Sequence, residues 1–410
     1  MSVLATHRDD CRLCHSRNLD LVLKLTPTPL ADSYLRTKEV QPSFPLDLYL
    51  CRECGFAQLL DVVQPQHIYL DYIYETVSSL GLVEHFDNYA AEVLGRIQPP
   101  PGALVIDVGS NDGTLLKSYQ KRGMKVLGVD PAREIAARAT AAGVETLAEF
   151  LTVPVARRIR QERGAAAIVS ANNVIANIDD LDEIAAAIRE LLAPDGVFVF
   201  ESYYLGDLVQ NMVFDFIYHE HISSFAVKPV ALFFKRHGLE LVDVLRVPTK
   251  GGSLRYTIQL AGGPRKAAPI VGELLALEAQ QGLDQPEMFR AFNTRIERAK
   301  AGTLAVLQKL KAEGKSVAGY GASATTTTLV YHFGMGGLID YLVDDYRAKQ
   351  GTFSPGLHLP VLPSEALYER RPDAVVVMAW RYYEPIMRRH QKYSAQGGKF
   401  IVPMPELKIL

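Results

Sequence analysis

Tyr218, His219, Glu220 and His221 fall together in the run FDFIYHEHISSF, shortly after GVFVFES, an apolar stretch of the kind that forms a buried strand. A histidine with an ordinary pKa of about 6.5 can take a proton at working pH, and a nearby carboxylate can fix its tautomer. The cluster therefore reads equally as acid–base machinery or as structural side chains in a dense patch. Metal binding through H-E-H is a poorer reading, because alternate residues of an extended chain point to opposite sides and no H-E-x-x-H helix is present.

A second constellation is VIDVGSNDG, Val105 to Gly113, followed by VLGVD ending at Asp130. An apolar run feeds a glycine turn, a helical segment follows, and a second apolar run ends in a carboxylate, as in a β-α-β nucleotide site. Gly109 and Gly113 suit a tight turn and close approach of a ligand. Asp130, 17 residues past Gly113, can accept both hydroxyls of a ribose. The D-x-G-x-N-D-G spacing lacks the glycine that makes room for a pyrophosphate. S-adenosylmethionine, which has a ribose and no phosphate, is therefore favoured over NAD.

Cys11, Cys14, Cys51 and Cys54 are the chain's four cysteines, two C-x-x-C knuckles with a long insert between them. Such knuckles supply a tetrahedral Zn²⁺ site, structural because four thiolates fill the shell. Unrelated reduced pairs or local disulfides are the alternative, and His15 is read as a bystander. The flanking TPTPLADSYL and FPLDLYLC are apolar and acidic, which argues against an RNA-binding ribbon. A further cluster, YLDYIYE with Tyr69, Tyr72 and Tyr74, reads as the core stripe of a helix.

These groups need elements to hold them. Residues 1–64 read as a zinc-binding module of short strands. Residues 65–285 read as a helical segment and then an alternation: ALVIDVG, helix 113–122, KVLGVD, helix 131–142, AAAIVSANN, helix 179–193, GVFVFES. Strands separated by helical runs imply a parallel sheet with helices on both faces. LELVDVLRVP and SLRYTIQL, joined by TKGG, suit a hairpin at its edge. Residues 286–410 begin with a helical connector to 313. A second alternation follows: KSVAGYGAS, helix 324–333, LIDYLVDD, helix 364–370, DAVVVMAW, helix 383–395, KFIVPMP. Its turn, Gly319 to Ala324, fits G-x-G-x-x-A, with Asp344 and Asp345 about 20 residues on. A nucleotide site there and an empty Rossmann-like turn are equally good readings; paired carboxylates disfavour NADP.

At 410 residues, with 48% hydrophobic and 22% charged residues, the chain is expected to be a globular protein of two or three domains. A formal net charge of −2 argues against a nucleic-acid partner. No apolar run approaches a membrane span and no signal peptide opens the chain, so a cytoplasmic protein without a membrane partner is expected.

Taken together the chain resembles the sugar C-methyltransferases, which act on nucleotide-linked deoxy-4-ketosugars. The resemblance runs over nearly the whole length: the paired C-x-x-C, TPLADSYL, the Y-x-Y-x-x-x-SS run at 72–79, D-x-G-x-N-D-G, ANNV at 171–174 and YHEH at 218–221. It continues through GGSLR at 251–255, GYGAS at 319–323, KQGTFSPGLHLPV at 349–361 and FIVPMP. It implies an N-terminal zinc-binding module, a central class I S-adenosylmethionine-dependent methyltransferase domain and a C-terminal Rossmann-like α/β domain that helps form the ketosugar cleft without a redox cofactor. By position, the resemblance makes His221 the base, Glu220 and Tyr218 its supports, and Tyr74 an active-site tyrosine. The cofactor contacts it implies are Asp107, Gly109, Asn111, Asp112, Gly113, Asp130, Asn172 and Asn173. Methylation is expected at C3, by a monomer or small homo-oligomer. Asn177 departs from the family, where many relatives have a histidine after ANNV, and so does ATTTT in the C-terminal turn, where many have a lysine. The competing readings are an NAD-dependent nucleotide-sugar oxidoreductase using Gly319–Ala324, an RNA methyltransferase, and a scaffold that has lost catalysis.

Overall fold

The computed structural model describes residues 4–69 and 81–410. Seven strands form the central sheet, in the spatial order Leu239–Val247, Ser253–Leu260, Leu192–Tyr203, Ala166–Asn172, Leu104–Val108, Lys125–Val129, Thr146–Leu147. Numbered along the chain from Leu104, that order is 6-7-5-4-1-2-3. Strand Ser253–Leu260 runs antiparallel to both neighbours, while the five strands from Leu192 to Thr146 pair in parallel. The inner strands are apolar along both faces, as a sheet covered on each side requires. Phe198, Phe200 and Tyr256 anchor the core, with the Phe200 and Tyr256 rings stacked at 4.5 Å.

Helices Thr114–Gln120, Arg133–Ala141 and Leu181–Leu191 lie where the sequence pattern puts them. Asp180 caps the last of these, accepting from the Glu183 amide at 2.9 Å. Helices Val153–Arg163 and Val227–Arg236 were not anticipated. The first, VPVARRIRQER, buries only Val155, Ala156 and Ile159, so its apolar stripe is too thin to read, and its start is set by Thr152 capping Val155. The expected edge hairpin forms, as Leu239–Val247 against Ser253–Leu260.

The helical connector is the helix Pro286–Ala312, and a second sheet follows it. Its order is Val361–Pro363, Tyr341–Asp344, Val317–Tyr320, Ala374–Val377, Lys399–Val402, Lys408–Ile409, parallel except for the last strand. This is the Rossmann-like half. No helix among the described residues is long and apolar enough to cross a membrane.

The N-terminal module is less separate than a ribbon of short strands suggests. Its sheet runs Leu19–Leu23, Leu48–Cys51, Ala57–Leu59 and then Ser223–Ser224, a strand supplied by the segment just after His221. The insert between the cysteine pairs is a strap laid along the C-terminal half. Leu35 bridges to Phe353, Thr327 Oγ1 donates to Ala31 O at 2.7 Å, and Lys349 pairs with Asp32 at 2.7 Å. The length of that insert, unexplained by metal binding alone, is what this reach requires.

Candidate active site

Cys11, Cys14, Cys51 and Cys54 are free thiols whose sulfurs all lie within 4.8 Å of one another. The Cys11–Cys54 and Cys14–Cys51 sulfurs are 3.6 and 3.4 Å apart. That is far beyond a disulfide bond and close to the edge of a tetrahedron with Zn–S bonds of about 2.3 Å. The donor set fits Zn²⁺ and leaves no coordination position open. His15 stays outside, between Asp10 at 3.1 Å and Asp182 at 2.7 Å. Arg12, inside the first knuckle and 1% exposed, donates from Nε to Asp179 (2.9 Å), from Nη1 to Gln58 Oε1 (3.0 Å) and Ile222 O (3.2 Å), and from Nη2 to Leu59 O (3.1 Å). The metal module is thereby bolted to the chain that follows ANNV and to the residue after His221.

The residues expected to hold the cofactor gather at the carboxyl edge of the central sheet, where such folds bind ligands. Gly109 has φ 69°, and a Cβ there would stand 2.2 Å from Val174 Cγ2 of ANNV. Asn111 and Asn173 are also left-handed, at φ 50° and 58°. Asp130 holds the loop by accepting from the Asn111 and Ala132 amides, both at 2.9 Å. Asp112 caps helix Thr114–Gln120 through the Thr114 amide and hydroxyl. Asp107 is buried against the Ser170 hydroxyl at 2.7 Å, and burial, then the Asp130 charge, raise its pKa to about 7. Both amide atoms of Asn172 are buried with no partner among the described residues. An orphaned amide beside a turn too tight for any Cβ fits a polar ligand such as S-adenosylmethionine.

His221 is 6% exposed and its tautomer is fixed. Nδ1–H donates to Phe216 O at 2.9 Å, which leaves Nε2 to accept from the Tyr218 hydroxyl at 3.1 Å. Burial, then the charge of Lys250, lower its pKa to about 3, so it stands neutral. Burial, then the Glu220 charge, hold the Tyr218 phenol well above its usual range. His219 points elsewhere, donating from Nε2 to Phe44 O and Pro45 O, so the two histidines share no ligand. Tyr69 belongs to this group and not to a core stripe: its phenol hydrogen-bonds Asn177 and feels Glu220, and burial above all raises its pKa. Tyr72 and Tyr74 lie outside the described residues.

Sequence reasoning passed over several neighbours. Glu201, at the end of the strand before the YHEH loop, accepts from His85 (2.9 Å), Thr249 (2.9 Å) and Arg255 (3.1 Å). The arginine of GGSLR was the one available signal. From the C-terminal half, Trp380 Nε1 donates to buried Asp215 at 2.9 Å and Arg381 lies over the Phe216 ring at 4.2 Å. Nothing local in the sequence connects residues so far apart.

The second glycine turn repeats a contact of the first, a loop amide donating to the carboxylate that ends the next strand. Ala322 N–H donates to Asp344 at 2.6 Å, Ser323 N–H to Thr326 Oγ1 at 3.3 Å, and the strap's Tyr34 hydroxyl to Ser323 O at 3.3 Å. All four ATTTT hydroxyls have partners: Thr325 shares a hydrogen bond with Ser323 Oγ, and Thr326, Thr327 and Thr328 donate to Gly321 O, Ala31 O and Ile217 O.

A sheet of order 6-7-5-4-1-2-3 with this glycine loop and acidic strand end defines a class I S-adenosylmethionine-dependent methyltransferase, here carrying a zinc module. The chain belongs to the C-methyltransferase family: it matches that family's C-terminal domain over residues 248–405, its zinc binding domain over 11–69 and a methyltransferase domain over 82–244. It is 34% identical over 407 residues to the C-methyltransferase NovU of Streptomyces niveus, covering 98% of this chain and 97% of that one. Among solved structures, the PH0226 protein of Pyrococcus horikoshii OT3 is 14% identical, covering 48% of this chain and 97% of that one at a TM-score of 0.37. An S-adenosylmethionine-dependent methyltransferase of Clostridium acetobutylicum ATCC 824 is 15% identical, covering 44% and 92%, at 0.36.

Proposed function

We propose that this C-methyltransferase acts on a nucleotide-linked 4-keto-deoxysugar and methylates C3. Carbon is not nucleophilic at neutral pH unless a proton can be removed from it and the resulting charge delocalised. A carbon beside a ketone meets that need. The observation that carries the reading is the buried His221–Tyr218 pair, an imidazole fixed as a neutral acceptor behind a phenol, within the field of Glu220. The resemblance to enzymes of nucleotide-linked ketosugars supplies the substrate class.

His221 is the proton acceptor. In the resting protein Tyr218 donates to Nε2, so the C3 proton reaches the imidazole through the phenol oxygen as the phenol's own proton passes to Nε2. The Phe216 carbonyl, holding Nδ1–H, steadies the imidazolium that forms. Gly109, Asp130 and Asn172 would hold S-adenosylmethionine, which would supply an electrophilic methyl group. Burial of the pair excludes water that would reprotonate the carbon. Incubation with isotopically labelled S-adenosylmethionine and dTDP-, GDP- and CDP-linked 4-ketosugars, read by mass and NMR, should give one product carrying the label on C3. Label on oxygen, or on none of the sugars, refutes the substrate reading. His221→Asn should abolish turnover and leave S-adenosylmethionine binding intact.

A further inference from the structure

The second sheet reverses direction at one point. From strand Val317–Tyr320 the chain moves outward to Tyr341–Asp344 and Val361–Pro363, then returns to lay Ala374–Val377 on the other flank of Val317–Tyr320. The crevice outside the carboxyl ends of two such strands is where open parallel sheets bind ligands. One of these ends is the glycine turn, and the other runs on through Ala379 and Trp380 to Arg381. The Met378 and Ala379 amides both donate to Tyr320 O, at 2.8 and 3.1 Å, which locks the two ends side by side.

Arg381 is half-buried there, with its guanidinium carbon 4.2 Å from the centre of the Phe216 ring, 5.8 Å from Trp380 and 6.0 Å from Tyr382. Nη1 donates to Lys250 O at 3.3 Å, the one acceptor the guanidinium has among the described residues. Asp215, on the segment it packs against, turns Oδ2 to Trp380 Nε1 at 2.9 Å and forms no ion pair with it. The other guanidinium nitrogens are reached by solvent, so their N–H groups stand unclaimed and accessible. A guanidinium held by rings, with a free edge, is ordered in advance for a bidentate oxyanion. Phe216 also joins it to the proposed proton acceptor: the Phe216 and His221 ring centres are 5.7 Å apart, and Phe216 O holds His221 Nδ1–H at 2.9 Å. A hexose ring with a diphosphate on its anomeric carbon is long enough to reach from His221 to Arg381.

We propose that Arg381 binds the diphosphate of the nucleotide-linked sugar, its free N–H edge donating to phosphate oxygens while the Phe216 ring keeps the guanidinium in place. This rests on the ketosugar reading above and assigns a residue to the anionic half of that substrate. Arg381 is a binding residue and takes no part in bond making or proton transfer. Anchoring the anomeric end fixes which ring carbon is presented to the Tyr218–His221 pair, so binding energy from a remote group is spent on orientation at the reacting one. Trp380, the chain's single tryptophan, adjoins Arg381 and gives the site an optical readout.

The test titrates wild type, Arg381→Met and Arg381→Lys with dTDP, GDP and CDP, followed by Trp380 fluorescence and by calorimetry. Methionine keeps an apolar stem against Phe216 and removes the charge and the donors. Arg381→Met should weaken the diphosphate that wild type binds best by about 10–100-fold, the usual worth of a charge-assisted bidentate contact. Arg381→Lys should recover part of that affinity, as a charge without the fork. Added salt should cost wild type more affinity than Arg381→Met, a difference that a merely structural arginine would not produce. S-adenosylhomocysteine affinity should be the same in all three proteins. Equal diphosphate affinity, or equal salt dependence, in wild type and Arg381→Met overturns the role of Arg381 and leaves the ketosugar reading standing. Failure of all three diphosphates to bind wild type overturns the nucleotide-linked substrate and this proposal with it. Arginine-dependent binding of a diphosphate whose 4-ketosugars are never methylated overturns the ketosugar reading alone.

Discussion

Replacing Arg12 with Met tests whether the zinc module positions the YHEH loop, proposed to carry the base, or merely adjoins it. Methionine keeps most of the apolar stem volume, so the change removes hydrogen bonds with little cavity cost. Four are lost: to Asp179, Gln58 Oε1, Ile222 O and Leu59 O. Asp179 keeps Arg8 at 3.2 Å, Ile222 O keeps the Leu59 amide at 2.9 Å, and Gln58 Oε1 keeps the Arg12 amide at 3.0 Å. None of these three acceptors is stranded, so each lost bond is worth about 1 kcal/mol, and the total is about 3–5 kcal/mol. Part of that was holding Ile222, one residue from His221. A displacement of the loop by about 1 Å lowers turnover by about 10²-fold. The assay is kcat at saturating S-adenosylmethionine, with zinc content and cofactor affinity measured on the same preparation. Zinc should stay at one per chain and cofactor affinity within twofold of wild type, because Gly109 and Asp130 lie on the far strands. Lower thermal stability with an unchanged kcat would show that the module stabilises the protein without placing the proposed base.

Two further perturbations follow from the geometry. Gly109→Ala should weaken S-adenosylmethionine binding by at least tenfold and destabilise by about 2–5 kcal/mol, from left-handed backbone plus overlap with Val174. Adding Val174→Ala should restore the overlap part only, and calorimetry showing equal affinity for all three proteins would refute it. His332 is buried and its pKa is lowered by burial to about 4 from 6.5. Below pH 6.5 the unfolded chain binds a proton that the native chain refuses, so stability is whole above that pH and falls as pH drops toward 4. His332→Gln should flatten the stability curve over that window by about 1 kcal/mol per pH unit. Asp107, raised to about 7, acts in the opposite sense, so the difference from wild type in denaturation at several pH values is the quantity to read; identical slopes would refute it.

The sequence carried the central sheet because its strands are short apolar runs closed by turn residues, a local signal. The cofactor loop was legible for the same reason: Gly109 and Gly113 act on their own backbone and on the next strand. Cys11 to Cys54 could be read because thiolate pairs at that spacing have few other uses. Helix Val153–Arg163 could not, since three buried residues in eleven leave no stripe. The contacts of Trp380 with Asp215 and of Arg381 with Phe216 could not be read either. They depend on how two sheets are set against each other, which no local period encodes. Tyr69 was assigned to a helix stripe because aromatic spacing fits one; only its neighbours Asn177 and Glu220 set it beside the YHEH loop.

The segment from Phe214 to Ser224 explains why three modules are joined in one chain. It follows a strand of the central sheet, yet its end pairs with the zinc module as Ser223–Ser224 against Ala57–Gln58. Its start is gripped from the C-terminal half by Trp380 on Asp215, Arg381 on Phe216 and Thr328 on Ile217 O. A loop carrying a buried, neutral histidine with a pKa near 3 is intrinsically unfavourable to hold closed, because water and a proton would both stabilise the open form. Clamping it at both ends by bodies outside the methyltransferase sheet supplies the missing stabilisation. The strap ties those two bodies to each other through Leu35, Thr327 and Lys349. Loosening any one clamp therefore acts on His221, which is why a substitution at a zinc knuckle is expected to register in turnover.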